Sequence, residues 1–581
     1  MNLKVSHRKK TGRTYLSIVK NYRDKNTSIP KTSTIKSLGY LDELEKEYED
    51  PIAHFKEVAK KMTEEENAKK KLTLSINMDE QLAQGTDDRK NLGYAAILKV
   101  YHELGLHRFF NNKARNEDFK FNTNSIMLLL VISRLLSPGS KKKAFEEKGR
   151  YFERFNFSLV DVYRALSHYA KIAKECQRYL NEQIAERYGR NTKIVYYDVT
   201  NFYFEIDKAD EFRKFGPSKE HRRNPIVQLG LAMDTDGIPL HYELFPGNKV
   251  DKETFRSVIG EVRKNYDTGR IVVVADMGII TGDNIYYLTG GKNRNGYIFS
   301  FTVRGGAKDF KEYILDEKGY VGQDGKPLPE DPKDVTFKIK SRRTPREINV
   351  TLKSGRKKAM TVHEKQVIFW SKKYADKAKA ERAEIVKKAM DMIADPQKYN
   401  KAISYGAAKY VKNVEFDKDT GEVLPGDQHP YLDEDKLAEE EKYDGYYAIV
   451  TSEMEMSDEQ IMDKYRGLWE IEETFRITKS TLEARPVYVS RKDRIDAHFL
   501  TCFIALVIIR LIQKNIGQRY SAERVIECLN KISCSNEQDN LYLFDYRSEL
   551  SDDIGDALGI DFTHKRLKLG EIKNILATSK K

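Results

Sequence analysis

Cysteine is scarce in this chain. Its 581 residues hold four (Cys176, Cys502, Cys528 and Cys534), scattered and without a Cys-x-x-Cys pair. Neither a disulfide framework nor a cysteine-rich zinc site is expected, and a reducing cytosol suits such a chain. Long apolar runs are also lacking. The longest, Cys502 to Ile509, stops at Arg510, short of the roughly 18 residues a membrane span needs. The basic N-terminus has no apolar stretch after it, so no signal peptide is predicted. There is no Gly-x-x-x-x-Gly-Lys-Ser/Thr, so Gly305-Gly306 reads as a turn and ATP dependence is not expected. His498 has no second histidine nearby and reads as packed or capped, not as a zinc ligand. No internal repeat or low-complexity tract is seen.

What the chain does have is positive charge. Lys and Arg number 102 against 89 Asp and Glu, a net +13. That favours a polyanionic partner, nucleic acid ahead of an acidic membrane. Hydrophobic residues make up 40% and aromatics 11%, which is enough for packed interiors and excludes wholesale disorder. The length suggests about three to four domains.

The first forty residues carry ten Lys or Arg against one acid, Asp24. β-Branched alternation over Thr14–Lys20 and Thr32–Leu38, around a turn with Asn26 and Pro30, predicts a basic β-hairpin arm in residues 1–50. A solvated, frayed terminus is the other reading. Residues 51–190 read as helical: Leu92–Leu106, Asn124–Leu136 and Leu159–Arg187 have three- and four-residue apolar spacing. Ser158 is the expected N-cap of the last, and Pro138-Gly139 ends the middle one. The basic turn Lys141-Lys142-Lys143 suits a DNA-binding bundle; a purely structural bundle fits equally well.

The pattern changes at Lys193. Ile194–Tyr197 reads as a short strand ending in Asp198. Ile226–Met233 and Pro239–Phe245 read as a hairpin turning at Asp236-Gly237. A helix (Lys252–Tyr266), a buried strand (Ile271–Val274) ending near Asp276, a helix (Gly282–Leu288) and a strand (Tyr297–Val303) complete a mixed unit over 191–303. Residues 304–443 digress, with strands at Val335–Lys340, Ile348–Leu352 and Gln366–Trp370 and a Lys- and Glu-rich helix at Ala375–Ala394. Lys338–Lys358 holds nine basic residues and one acid; Asp427–Asp444 holds eight acids and two Lys and reads as a solvated linker. The core pattern resumes over 444–500 with a strand, Tyr446–Thr451, and one long helix, Asp458–Ser480. Residues 501–581 read as a helical C-terminal region.

Three carboxylates stand out by position. Asp198 and Asp276 end predicted strands, and Glu472 lies in the helix after the last strand. Acids at strand ends are a common way for α/β sheets to present chemistry. Converging carboxylates repel unless a divalent cation shares them, and oxygen-only ligation suits Mg²⁺ or Mn²⁺. Two such ions can activate a water or 3′-hydroxyl and stabilise the leaving oxygen of a phosphodiester. A strand-end Asp that only caps a turn is the plain alternative. In the Glu472 helix, Tyr465, Leu468, Trp469, Glu472, Phe475, Arg476 and Lys479 recur on one face. Either charged residues edge a core and snorkel, or an acid at a metal is flanked by cations and aromatics that grip DNA.

Tyr196-Tyr197-Asp198-Val199-Thr200-Asn201, Val274-Ala275-Asp276-Met277-Gly278 and Tyr465-Arg466-Gly467-Leu468-Trp469-Glu470-Ile471-Glu472 resemble the three acidic segments of a DDE-type insertion-sequence transposase. The resemblance is to the branch with a β-rich insertion between the second Asp and the Glu, insertion-sequence family four and its close relatives. That branch has a Tyr-x2-Arg-x3-Glu-x6-Lys signature, which Tyr465, Glu472 and Lys479 match. Leu468 stands at the Arg position, which leaves Arg466 or Arg476 to supply that phosphate contact. Asp198 and Asp276 are 78 residues apart and Asp276 and Glu472 196 apart, so the second interval can hold the insertion. Ile35-Lys36-Ser37-Leu38-Gly39-Tyr40 in the arm also looks like this subgroup.

The resemblance implies an α/β, ribonuclease H-like core: a mixed sheet flanked by helices and interrupted by a β-rich insertion. Asp198, Asp276 and Glu472 would bind two Mg²⁺ or Mn²⁺ ions. The protein would nick double-stranded DNA at terminal inverted repeats, and the freed 3′-hydroxyl would attack the other strand or target DNA. It would act as a homodimer or larger synaptic assembly at the nucleoid of a prokaryotic cytoplasm, away from membranes. Tyr465, Arg466, Arg476, Lys479 and Arg485 would contact DNA, and Trp370, the only Trp of the insertion, would stack on a flipped base. A DNA-binding protein that has lost catalysis, or a nuclease that cuts without joining, are the alternatives.

Overall fold

The computed structural model describes residues 1–7, 12–23, 30–68, 79, 81, 83–216, 224–266, 269–290, 294–352, 354–395, 406–413, 415–416, 423–424, 429–538 and 540–581. They divide into two compact units, Met1–Thr86 and Asp87–Lys581.

In the first unit, the alternation noted in the arm gives an antiparallel sheet of β1 (Asn2–His7), β2 (Thr14–Arg23) and β3 (Pro30–Tyr40), in that order. Leu16, Ile18 and Val19 of the central strand are buried. The arm is therefore three strands, not a two-stranded hairpin; its turn at Asn26 lies outside the described residues. Helix α1 (Pro51–Ala68) packs on β1 and so belongs with the arm.

The second unit begins with α2 (Tyr94–Glu103), α3 (Thr123–Leu136) and α4 (Leu159–Tyr188). Asn122 caps α3, and Ser158 and Asp161 form a capping box on α4. There follow β4 (Ile194–Tyr203), β5 (Ile226–Met233), β6 (Pro239–Pro246), α5 (Asp251–Asn265), β7 (Val272–Ala275), α6 (Gly282–Thr289) and β8 (Gly296–Phe301). The 304–443 segment supplies β9 (Phe337–Thr351), β10 (Lys357–Ser371), α7 (Lys372–Ala394) and α8 (Glu434–Glu441). After it come β11 (Tyr446–Thr451), α9 (Asp458–Arg466), α10 (Trp469–Arg476) and α11 (Lys492–Asn515).

Eight strands form one mixed sheet in the order β9-β10-β11-β8-β7-β4-β5-β6. β4, β7 and β8 run parallel, and the other pairs are antiparallel. Period-two alternation gives the sheet two apolar faces. One carries Val195, Tyr197, Val273 and Phe299 against Phe255 and Val258 of α5 and Ile285 and Leu288 of α6. The other carries Tyr196, Val274, Ile298 and Ile449 and joins the large core shared with α2, α3, α4, α10 and α11.

Three expectations change here. The strands expected at Val335–Lys340 and Ile348–Leu352 are one strand, β9, paired along its length with β10. Through β10 and β11 the insertion extends the main sheet, and α7 adds 23 helical residues to it. The acidic run is not a linker. From residue 429 onward it includes α8 and neutralises cations of the insertion: Asp444 pairs with Arg382 at 2.5 Å and Arg304 at 3.0 Å, and Glu440 with Lys409 at 2.9 Å. Asp427 lies outside the described residues. Helix α11 is long and apolar enough to cross a membrane, yet 94% of its most apolar window is buried inside the protein. It packs against α2, α3 and α4, so the N-terminal and C-terminal helices share one layer.

Candidate active site

The parallel β4–β7 ladder ends at Tyr197↔Ala275. One position further along both strands stand Asp198 and Asp276, on neighbouring strands and on the same sheet face as Tyr196 and Val274. β4 itself continues to Tyr203, paired only with β5 from here on. Asp198 is thus mid-strand, at the point where the neighbouring strand stops, not at a strand end. Asp198 Oδ1 accepts from Val199 N at 2.7 Å. Asp276 caps the short turn Met277–Ile279, its Oδ1 accepting from Met277 N at 2.8 Å, and Ser300 Oγ donates to the same oxygen at 2.6 Å. The capping reading and a site reading of Asp276 are therefore compatible.

Glu472 reaches the same place from α10. The expected single helix is broken: α9 ends at Arg466, α10 begins at Trp469, and a π-helical turn covers Ile477–Thr481. Such turns are frequent at functional sites. The break comes at Gly467, where a Cβ would overlap the Tyr196 phenol. Of the face read from spacing, Tyr465, Leu468, Trp469 and Glu472 stay together on one cleft, whereas Phe475, Arg476 and Lys479 do not line it. Leu468 and Phe475 are buried, while Trp469, Glu472 and Arg476 are exposed. Arg510, buried in α11, grips the opposite side of α10. It pairs with Glu473 at 3.0 Å and Glu470 at 3.7 Å and donates to Thr474 Oγ1 at 2.7 Å.

Asp198, Asp276 and Glu472 line one cleft of about 750 Å³, together with Tyr465, Arg466, Leu468 and Trp469. Its floor continues across the sheet through Ile449, Tyr447, Phe369 and Phe337 to Lys373 and Tyr374 at the start of α7. The rings form a row: Phe337 and Phe369 stack at 6.1 Å, Phe369 and Tyr447 at 5.6 Å, and Tyr374 meets Tyr447 at 4.9 Å. Acids therefore occupy one end and aromatics the other. Trp469 is 55% exposed, Tyr447 45% and Tyr374 41%. Burial raises the Tyr465 phenol above its ordinary pKa; the adjacent Ser300 opposes this, and the Asp276 and Glu472 carboxylates add to it.

The donor set suits a hard divalent cation, since it consists of carboxylate oxygens. Asp276 and Glu472 have no ion pair with a protein cation among the described residues. The carboxylates share the cleft without being drawn into a cage: among the described residues, no three His, Cys, Asp or Glu side chains are close enough to hold a metal ion.

Other expected site residues are placed differently. Arg466 lines the cleft and pairs with Asp463 at 3.4 Å. Arg476, Lys479, Arg485 and Trp370 do not line it. Lys479 lies 5.9 Å from the ring of Phe202, and Arg485 lies 5.8 Å from that of Tyr203, both on the strand of Asp198. Arg476 is exposed, 3.9 Å from Glu473. Trp370 Nε1 donates to the Asp444 carbonyl at 2.9 Å, which ties its ring into the insertion. The basic segment expected as a turn is a short helix, Lys141–Glu146, whose Lys141 is buried and within 3.2 Å of His498 Nδ1, so it offers no charge to DNA. Residues missed from sequence are Ser300, Tyr447, Phe369, Phe337, Lys373 and Tyr374. The alternation of β8, β10 and β11 carried part of that signal. Trp469 stands in the stripe of the Glu helix, where spacing alone gives it no role of its own.

Residues 190–508, more than half of the chain, match the family model described as transposase DDE domain. Residues 3–72 match the N-terminal domain of the IS1634 family transposase. Among solved structures, the chain is similar to the piggyBac transposase synaptic complex with hairpin DNA, at 8% identity and a TM-score of 0.31, covering 80% of this chain and 84% of that one. It is also similar to the Mos1 transposase paired-end complex with the left transposon end, at 12% identity and a TM-score of 0.11, covering 38% and 60%. No curated protein matches. With its DDE domain spanning most of the sheet and the cleft, the chain belongs to the DDE transposase family, and it is a transposase.

Proposed function

We propose that this transposase binds the ends of its own insertion sequence, cleaves there with divalent metal ions and joins the freed 3′-hydroxyl to other DNA. The observation that carries the reading is the placement of Asp198 and Asp276 side by side past the end of one parallel ladder, facing the cleft that Glu472 enters from α10. Asp198, Asp276 and Glu472 would hold two Mg²⁺ or Mn²⁺ ions. When bound, these supply activation of a water or 3′-hydroxyl and stabilise the leaving oxygen of the phosphodiester. A ribonuclease H-like core is supported by the strand order β6-β5-β4-β7-β8, with three parallel strands and a hairpin on one edge. The Tyr465, Glu472 and Lys479 spacing supports the branch of insertion-sequence family four.

The chain's own residues bind and orient the DNA. Arg466 and Lys373 supply charge within the cleft. Lys479 and Arg485, over the outer part of β4, and Arg476, on the exposed side of α10, extend the phosphate track. The exposed rings of Trp469, Tyr447 and Tyr374 line the cleft that holds the acids and, unlike Trp370, can stack on an unpaired base drawn into it. Action on two ends at once calls for a homodimer or larger assembly on the DNA of a prokaryotic cell. Light scattering with terminal DNA tests this: a cleavage-competent complex of one protein and one end rejects it.

Asp198→Ala, Asp276→Ala and Glu472→Ala should each abolish Mg²⁺-dependent cleavage while leaving end binding largely intact. Cleavage and strand-transfer assays with a 3′-hydroxyl donor end decide. A folded variant that cuts at near-parental rate removes that acid from the site. Cleavage without joining by the parent protein would instead make it a simple nuclease.

A further inference from the structure

We propose that Ser300 is a positioning residue for Asp276, its hydroxyl fixing the rotation of that carboxylate in the cleft. The inference rests on the reading of Asp276 as a metal ligand. The β7–β8 ladder pairs Val274 with Ile298 and Ala275 with Phe299, so the next step sets Ser300 level with Asp276. Ser300 is 9% exposed and donates to Asp276 Oδ1 at 2.6 Å.

Two donors converge on Oδ1, but they are not equivalent. Met277 N belongs to the turn that Asp276 itself caps and moves with it. Ser300 is anchored elsewhere, on a strand paired on both sides, with β7 and with β11. Ser300 is therefore the contact that fixes the rotation of the carboxylate, with Oδ2 left outside this pair of bonds. A serine hydroxyl has one proton and two lone pairs. That one proton is committed to Asp276 Oδ1. Partners that hold a ligating carboxylate in this way influence metal affinity nearly as strongly as the ligands do.

The test is Mn²⁺ binding to the DNA-free, full-length protein, followed by electron paramagnetic resonance, with melting temperatures measured alongside. Ser300→Ala should weaken Mn²⁺ binding about tenfold, and Ser300→Thr, which keeps the hydroxyl, should restore most of it. Asp276→Ala is the control. If it binds Mn²⁺ like the parent, the ligand reading fails, and this inference with it. If it is weakened while Ser300→Ala is parental, only the Ser300 inference is overturned. If Ser300→Ala does not fold, Ser300→Cys decides: its thiol is a weak donor, so parental Mn²⁺ affinity in that variant overturns the proposal.

Discussion

Gly467 has no room for a methyl group, because the Tyr196 phenol packs against its Cα where α9 turns into α10. Gly467→Ala should destabilise the protein by about 1–3 kcal/mol, the usual cost of overpacking. Adding Tyr196→Phe should return part of it by removing the phenol oxygen. Urea unfolding of the single and double variants measures both. Lys141 is a second residue whose surroundings decide its behaviour. Burial, with Arg134 nearby, lowers its pKa from 10.5 to about 7. His498 Nε2 donates to the Ala484 carbonyl at 3.1 Å, which leaves Nδ1 to accept from Lys141. Between pH 7 and 10.5 the unfolded chain binds a proton on Lys141 that the folded protein does not. Stability from this group therefore rises with pH across that window and is lost on acidification through it, with a slope of at most about 1.4 kcal/mol per pH unit. Lys141→Met should flatten that rise, as thermal melts at stepped pH would show.

At the scale of elements, the Glu helix depends on the helix behind it. Arg510 is 6% exposed and ties Glu470, Glu473 and Thr474 of α10 to α11. Burial raises the Glu470 carboxyl above its ordinary pKa, and Arg510 opposes that shift. Arg510→Met should cost about 3 kcal/mol, because it leaves the partly buried Glu470 and Glu473 without their partner. It should also slow cleavage more than it weakens end binding, since α10 loses the support that aims Glu472. Chemical denaturation and single-turnover nicking measure the two effects. A variant as stable and as fast as the parent would show that α10 is held by packing alone. The stripe read on this helix was correct in its residue types. Its common face holds from Tyr465 to Glu472 along the cleft and is lost beyond, because helical periodicity assumes an unbroken rod and the π-helical turn leaves no clear periodic mark.

For the whole molecule, two compact units and a net charge of +13 suggest separable roles. Deleting residues 1–86 removes the basic arm with its own sheet and helix, so residues 87–581 should still unfold cooperatively. DNA binding by the truncated protein should depend less on salt, by about 0.9 in the log–log slope for each phosphate that the arm neutralises in the full-length protein. Fluorescence anisotropy over a salt series would show this, and an unchanged slope would mean that the arm does not touch the DNA backbone.

Sequence alone determined what local pattern can encode. β-Branched alternation marked β2; short apolar runs marked β4, β5 and β11; three- and four-residue spacing marked α2, α3 and α4; and three segments that resemble transposase acidic motifs singled out Asp198, Asp276 and Glu472 as candidates. What only tertiary structure decided was pairing between distant segments. Ser300 meets Asp276, Tyr447 continues the floor from the acids, and β9 and β10 lengthen the main sheet because hydrogen-bond registers bring residues from different strands level. The burial of α11 was decided in the same way. The run Cys502–Ile509 reads from sequence as too short for a span, but the helix that holds it is 24 residues long, and its most apolar window is 94% buried in a core shared with α2, α3 and α4. A period of 2.0 or 3.6 residues is written along the chain, whereas the neighbour across a ladder or a helix interface is set by the free energy of the whole assembly.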